Sequence, residues 1–292
     1  MSWSWSSRIE RVRDHVREHL AEPLGLDELA RVAHSSRFHF ARLFRAHTGE
    51  TLTHFVQRAR LERAATLMRS SPELSLLEIA LMVGFGSASD FSRVFRQHHG
   101  VAPSQWDRRS RLHDVLPGFA DGLDQARKTC PPLRPRLARH PAVRLAYVRV
   151  ATPFLDEALL AQGYAELCAW FERHGVDWRR QPLLGMSWDN PETTPLEQVR
   201  FDLGLGLPDG LRADGELGEL ALPAVRSVDV HVQGSRGHIA LAWELLYDRW
   251  LPARAHEPAD LPGIKRFVRR PDELGWHQFD LDCSIALQRD SQ

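Results

Sequence analysis

One six-residue pattern occurs twice in this chain, and it limits the fold more than any bulk property does. Phe40-Ala41-Arg42-Leu43-Phe44-Arg45 returns about fifty residues later as Phe91-Ser92-Arg93-Val94-Phe95-Arg96. At 3.6 residues per turn, Phe40, Leu43 and Phe44 share one helical face while Arg37, Arg42 and Arg45 point away from it. A short apolar stripe precedes each copy. In the first it is Leu26, Leu29, Ala30 and Ala33, with Asp27 and Glu28 in the opening turn, where the helix dipole favours acids. In the second it lies within Leu74–Val83. His34-Ser35-Ser36 and Gly84-Phe85-Gly86 supply the turns, and Gly49 closes the first copy. Ala30 and Ala80 put a small residue where two helices would cross. The pattern therefore predicts two helix-turn-helix units, each with an apolar face for docking and a basic face for the major groove.

Flanking segments complete an all-helical N-terminal domain. Ile9, Val12, Val16 and Leu20 recur at helical spacing, and Pro23 and Gly25 end that run. Thr51–Met68 predicts a long helix between the two units, with Leu52, Phe55, Val56, Ala59 and Leu67 on its apolar side. Such a rigid spacer would fix the phase of two reading heads about one DNA turn apart. The charge distribution agrees. Residues 1–112 hold 17 Arg, no Lys and 12 acids, a net of +5, whereas the remainder holds 21 basic and 26 acidic residues, a net of −5. A basic half followed by an acidic half implies that only the first meets a polyanion.

Other classes are disfavoured. No apolar run is long enough for a membrane span, and the N-terminus lacks the basic and apolar blocks of a secretory signal, so a cytoplasmic protein without membrane partners is expected. Cys130, Cys168 and Cys283 are odd in number and widely spaced, which suggests neither a disulfide framework nor a metal site. His39, His47, His98 and His99 show no metalloprotease spacing. No cofactor, metal or catalytic residue is expected.

With the second motif extended to Ile79-Ala80-x-x-Val83-Gly84-Phe85 and Gly100-Val101-Ala102-Pro103-Ser104-Gln105-Trp106, residues 8 to about 110 resemble the AraC/XylS family DNA-binding domain. The resemblance implies that both recognition helices contact double-stranded DNA. Phe38, Ala41 and Arg42 would enter one groove, and Ala88, Ser89 and Arg93 the next. Arg42 and Arg93 could each hydrogen-bond guanine in bidentate fashion, while Phe38 and Ala41 could only touch a thymine methyl group. Arg37, Arg45 and Arg96 would meet phosphates, which position without specifying. Family analogy also gives RNA polymerase as a partner.

Texture changes over residues 113–141, where Pro117, Pro131, Pro132, Pro135 and Pro141 predict a largely extended linker with a short helix within Asp114–Lys128. The expected domains are thus 6–112, a Pro-rich linker at 113–141, and 142–290. In the last, strands at Val143–Val150, Leu183–Trp188 and Phe201–Leu207 surround a helix at Glu157–His174. The order repeats with strands at Ala224–Val232, Gly263–Arg269 and His277–Leu287 and a helix at Ile239–Leu251. Strand-helix-strand-strand twice over predicts an α+β domain with pseudo-twofold symmetry and a groove between its halves.

The stretches Gly185-Met186-Ser187-Trp188-Asp189-Asn190-Pro191, Thr194-Pro195, Arg200-Phe201-Asp202, His231-Val232-Gln233-Gly234-Ser235 and Trp243-x-x-Leu246-Tyr247-x-x-Trp250-Leu251-Pro252 resemble a GyrI-like (Rob-type) small-molecule-binding domain over about 142–290. In that family a Glu and a spaced Tyr on the strand after the second helix draw cationic aromatic ligands. Here Lys265 and Phe267 stand in those places. A lysine repels a cation, so a neutral or anionic aromatic effector is expected instead. Candidate ligand-binding residues are Trp170, Trp188, Trp243, Tyr247, Trp250, Lys265 and Phe267. Two alternatives stay open for this half: a small-molecule hydrolase, which Lys265 would deprive of its expected acid, and a protein-interaction module.

Overall fold

The computed structural model describes residues 5–108, 119–151, 157–189, 191, 194, 196, 199–214, 217–254, 256–259 and 261–288. The chain divides into two compact units, residues 1–108 and 109–292.

The first unit is all helical: α1 (Trp5–Glu18), α2 (Leu26–Val32), α3 (Arg37–Thr48), α4 (Leu52–Ser70), α5 (Leu76–Met82) and α6 (Ala88–His99). The repeated hexapeptide folds the same way twice. Phe40 and Phe44 lie edge to face at 5.7 Å, and Phe91 and Phe95 at 5.5 Å, a geometry set by the ring quadrupoles. All four are fully buried. The second copy is more tightly tied at its helix starts. Ser75 and Glu78 form a reciprocal capping box on α5, and Ser87 accepts from the Asp90 amide on α6. Gly25 and Ser36, in the corresponding places of the first copy, give no side-chain cap.

Helix α4 runs through both cores. Phe55, Val56 and Ala59 from its first half pack with α1, α2 and α3, whereas Leu61, Ala64, Leu67 and Met68 pack with α5 and α6. At 1.5 Å per residue its 19 residues span about 28 Å. Arg60, near its middle, donates to the Leu20 and Glu22 carbonyls at 3.0 and 2.9 Å, satisfying backbone groups just past α1. The turn of the second unit rests on the same place. Gly84 has φ +85°, and a Cβ there would lie 2.4 Å from the Leu20 carbonyl oxygen and 2.8 Å from the Arg60 guanidinium. Gly84→Ala should therefore lower stability by roughly 2–3 kcal/mol through left-handed strain and overpacking. Denaturant melts of the variant check this; an unchanged midpoint would contradict it.

His99 closes the second core against Phe95 and Trp106, with ring centroids 4.3 and 5.9 Å away. Its Nε2 is buried without a hydrogen-bond partner among the described residues. Burial, and then the neighbouring His98, push its pKa down to about 4. The unfolded chain therefore takes up this proton first. Stability from His99 is complete above about pH 6.5 and is lost as pH falls toward 4. Thermal melts of the wild type should show that loss, and His99→Leu should flatten it.

The second unit is built on one eight-stranded antiparallel sheet. Its elements are α7 (Phe119–Thr129), β1 (Arg136–His140), β2 (Val143–Ala151), α8 (Glu157–Arg173), β3 (Leu183–Ser187), β4 (Arg200–Gly206), β5 (Gly218–Leu222), β6 (Val225–Gly234), α9 (Arg236–Glu244), β7 (Gly263–Arg269), α10 (Pro271–Leu274) and β8 (Phe279–Leu287). Helix α9 continues through a π-helical turn, Leu245–Trp250, into Leu251–Arg254. The strand order is β1-β6-β8-β7-β3-β4-β2-β5. The expected repeat is visible in it. β2-α8-β3-β4 and β6-α9-β7-β8 meet through the antiparallel β3–β7 pair, where Gly185 faces Lys265 and Met186 faces Ile264.

Residues 119–140 correct the linker expectation. α7 packs on α9, where Gly237 is so close to Gly122 that a Cβ would meet the Gly122 carbonyl oxygen at 2.5 Å. β1 pairs with β6 as an edge strand. The segment is therefore part of the C-terminal unit. Residues 113–118, including Pro117, lie outside the described residues, as do Asn190, Pro195, Arg289 and Asp290.

Candidate nucleic-acid interface and effector pocket

The apolar faces of α3 and α6 are consumed by the two cores, which turns their other faces outward. Phe38 is 79% exposed although it is aromatic. Arg37, Arg42 and Arg45 on α3, and Ser89, Arg93 and Arg96 on α6, are exposed, while Ala41 and Ala88 are half-buried at the base of the same faces. Arg37 lies 3.7 Å from Asp27 and 5.1 Å from the Phe38 ring. Arg93 pairs with Asp90 one turn earlier, with both side chains largely in solvent. Exposed pairs of this kind are worth little and yield readily to another partner. All nine sequence-predicted positions thus lie on or beside two outward surfaces, each rigidly backed by phenylalanines.

In the C-terminal unit the predicted pocket residues divide. Lys265, Phe267, Trp243 and Tyr247 come together on the helical side of the sheet, each partly exposed. Phe267 packs on both the α8-side and the α9-side clusters, so it bridges the two halves. The Trp243 and Tyr247 rings are 6.2 Å apart. Lys265 Nζ donates to Ser187 Oγ at 2.7 Å and sits 4.7 Å from the Phe201 ring and 5.8 Å from that of Trp243. No carboxylate partners it among the described residues. Burial pushes its pKa down to about 8; the Cys283 thiol opposes that shift and Arg236 adds to it. The side chain keeps some accessible surface while its amine end is surrounded by protein, as expected at the floor of a groove.

Two glycines shape that floor. A Cβ at Gly185 would strike the Phe201 ring at 2.4 Å, and one at Gly263 would meet Trp243 at 3.2 Å. Ser187 and Phe201, both absent from the predicted set, belong to the cluster. Strand alternation carries the signal for Ser187, since Gly185 and Ser187 share a face.

Two predicted pocket residues, Trp170 and Trp188, do not join. Trp170 is 3% exposed in the core under α8, where Nε1 donates to Asp214 at 2.6 Å and the ring stacks on His174 at 4.0 Å. Trp188 falls on the opposite face with Leu184 and Met186. Its Nε1 donates to Asp202 at 2.6 Å, and Arg149 grips the same carboxylate at 2.7 and 2.8 Å. Trp250, the last residue of the π-helical turn, is partly buried against the same α9-side cluster as Trp243, Tyr247 and Phe267, and its ring stacks on His256 at 5.4 Å. The family-like motif around Asp189 and Arg200 is likewise architectural: this buried pair joins β4 to the end of β3 through contacts of 2.8 to 3.2 Å. A small cavity of about 20 Å³ also opens on that opposite face, walled by Pro141, Leu222, Ile264, Arg266 and Ser284 rather than by the aromatic cluster. Among the described residues no group of side chains is arranged to hold a metal ion, and no helix is long and apolar enough to cross a membrane.

Comparison with known proteins places both halves. Residues 29–109 match a helix-turn-helix domain family, and residues 134–287, more than half of the chain, match the GyrI-like small molecule binding domain. The regulatory protein SoxS of Salmonella typhimurium is 33% identical over 101 residues, covering 35% of this chain and 94% of SoxS. The HTH-type transcriptional regulator YfiF of Bacillus subtilis is 38% identical over 98 residues, 34% of this chain but only 31% of YfiF. Among solved structures, the C-terminal domain of EcmrR aligns over 55% of this chain and 99% of its own, with a TM-score of 0.42 and 10% identity. The chain belongs to the AraC family of DNA-binding transcription regulators and carries a GyrI-like small-molecule-binding domain as its C-terminal half.

Proposed function

We propose that α3 and α6 enter successive major grooves of one operator, and that a small aromatic molecule held over Lys265 adjusts this binding. The observation that carries the DNA reading is the pair of outward, arginine-bearing faces mounted on a single spacer helix. Arg42 and Arg93 are assigned to guanine edges, Phe38 and Ala41 to thymine methyl groups, and Arg37, Arg45 and Arg96 to phosphates. Ala88 and Ser89 line the second contact. Arg93→Ala should cost about 1–3 kcal/mol on the cognate operator and relax discrimination at one base pair. Fluorescence anisotropy against single-base operator variants measures both. Unchanged affinity and unchanged base preference would remove Arg93 from this role.

Support for the effector reading comes from Lys265, Phe201, Trp243, Tyr247 and Phe267. A cationic floor with aromatic walls and no carboxylate among the described residues favours a neutral or anionic planar ligand over a cation. We read this half as a sensor rather than an enzyme, place the protein in the cytoplasm with the chromosome, and take RNA polymerase as its partner at the promoter by family analogy. Thermal-shift titration with aromatic carboxylates against aromatic quaternary amines tests the ligand preference. Stabilisation by the cations alone would reverse it.

A further inference from the structure

Only two of the 38 basic residues are lysines, Lys128 and Lys265. Lys128 is exposed on α7, while Lys265 stands at the junction of the two pseudo-symmetric halves, opposite Gly185 of β3 and Cys283 of β8. An arginine would give a permanent cation there. A lysine differs in one chemical respect: it can lose its proton and become a nucleophile, and desolvation among aromatic side chains promotes that loss. The surroundings fit. Among the described residues the amine has one hydrogen-bond partner, the Ser187 hydroxyl at 2.7 Å, with the Phe201 and Trp243 rings close by. The charged group acting on it is Arg236, which disfavours the ammonium form; the Cys283 thiol opposite it, which burial pushes up to about 12, is neutral.

We infer that the Lys265 amine condenses reversibly with the carbonyl carbon of an aromatic aldehyde held against Phe201, Trp243 and Phe267, so that the effector is sensed as a covalent imine. This deepens the effector reading above and rests on it. In the first step the amine nitrogen adds to the carbonyl carbon. One N–H proton passes to the carbonyl oxygen, and Ser187 Oγ is placed to relay it. In the second step the resulting hydroxyl leaves with the remaining N–H proton as water, and the C=N bond forms. Nothing is oxidised or reduced, and water reverses the sequence when the aldehyde is withdrawn.

The test treats the full-length protein with benzaldehyde and cyanoborohydride near neutral pH. The hydride reduces any imine to a stable benzyl amine, and peptide mass mapping locates it. Lys128 is the internal reference. The expected result is labelling of Lys265 at least about tenfold ahead of Lys128, lost in Lys265→Arg. Equal or weaker labelling of Lys265 overturns the inference. A parallel thermal shift with benzoate, which cannot form an imine, reports on the pocket separately. Stabilisation by benzoate without labelling would sink the imine and leave the sensor reading standing. Labelling of Lys265 well ahead of Lys128 in wild type supports the inference however Lys265→Arg behaves.

Discussion

Arg58→Met is expected to destabilise the N-terminal unit by about 3–5 kcal/mol, a large part of the 5–15 kcal/mol that typically holds a domain together. Arg58 is 2% exposed inside α4, an uncommon place for a guanidinium. It donates to Glu50 at 2.7 Å, just past the end of α3, and to Glu62 at 2.5 Å, one turn further along α4. Glu50 also meets His54 at 2.7 Å, and Glu62 is 4.0 Å from Arg17 of α1. Methionine fills the volume but leaves two buried carboxylates without their guanidinium. Chemical melts of the variant should show the loss, and the triple variant Arg58→Met/Glu50→Gln/Glu62→Leu should recover much of it, because neither buried carboxylate is then left without its guanidinium. A triple variant no more stable than the single one would refute the charge explanation. The network also predicts acid sensitivity. Burial alone would raise the Glu50 pKa, but its bonds to Arg58 and His54 outweigh burial and hold it below the usual value. That stability is present above the unfolded pKa of about 4.3 and is lost as pH falls through the lower folded value.

The second large effect is on DNA affinity. Each neutralised phosphate contributes about −0.9 to the slope of log affinity against log salt. If Arg37, Arg45 and Arg96 alone displace counterions, raising salt from 50 to 200 mM should weaken binding roughly 40-fold; if Arg42 and Arg93 do so too, roughly 500-fold. Arg96→Ala should lower the slope by about 0.9 on every sequence alike, unlike Arg93→Ala, which acts mainly on one base pair. Electrophoretic mobility shifts across a salt series distinguish the two. A flat salt response would contradict the whole DNA assignment.

The helical half was legible because its information is local. Repeated phenylalanines set which faces are buried, and whatever remains on α3 and α6 must point outward. α4 was legible as a helical spacer but not as a member of both cores, because its apolar residues serve the two in succession. The Arg58 network was partly hidden for a related reason: Glu62 lies one turn along the same helix, but Glu50 lies in the turn before α4 and Arg17 on α1, and only the fold brings these together. In the C-terminal half the order of strands and helices followed from alternation, whereas the site followed only in part. Trp188 and Ser187 are neighbours in sequence but opposite in face, and alternation alone does not tell which face carries the helices. Trp170 was ambiguous because α8 buries a wide apolar face. The prolines around residue 131 concealed β1 and the docking of α7, although a short helix within Asp114–Lys128 was expected. β1 is an edge strand whose residues, Arg136 to His140, lack an apolar alternation, and α7 docks through Gly122, which reads in sequence as an interruption.

Footprinting on the selected operator, repeated with Arg42→Ala and Arg93→Ala, most directly tests whether the two heads work as one rigid reader. Two protected major-groove segments about one helical turn apart are expected, with Arg42→Ala relaxing base preference in one and Arg93→Ala in the other. A single protected segment, or both substitutions relaxing the same base pair, would contradict it.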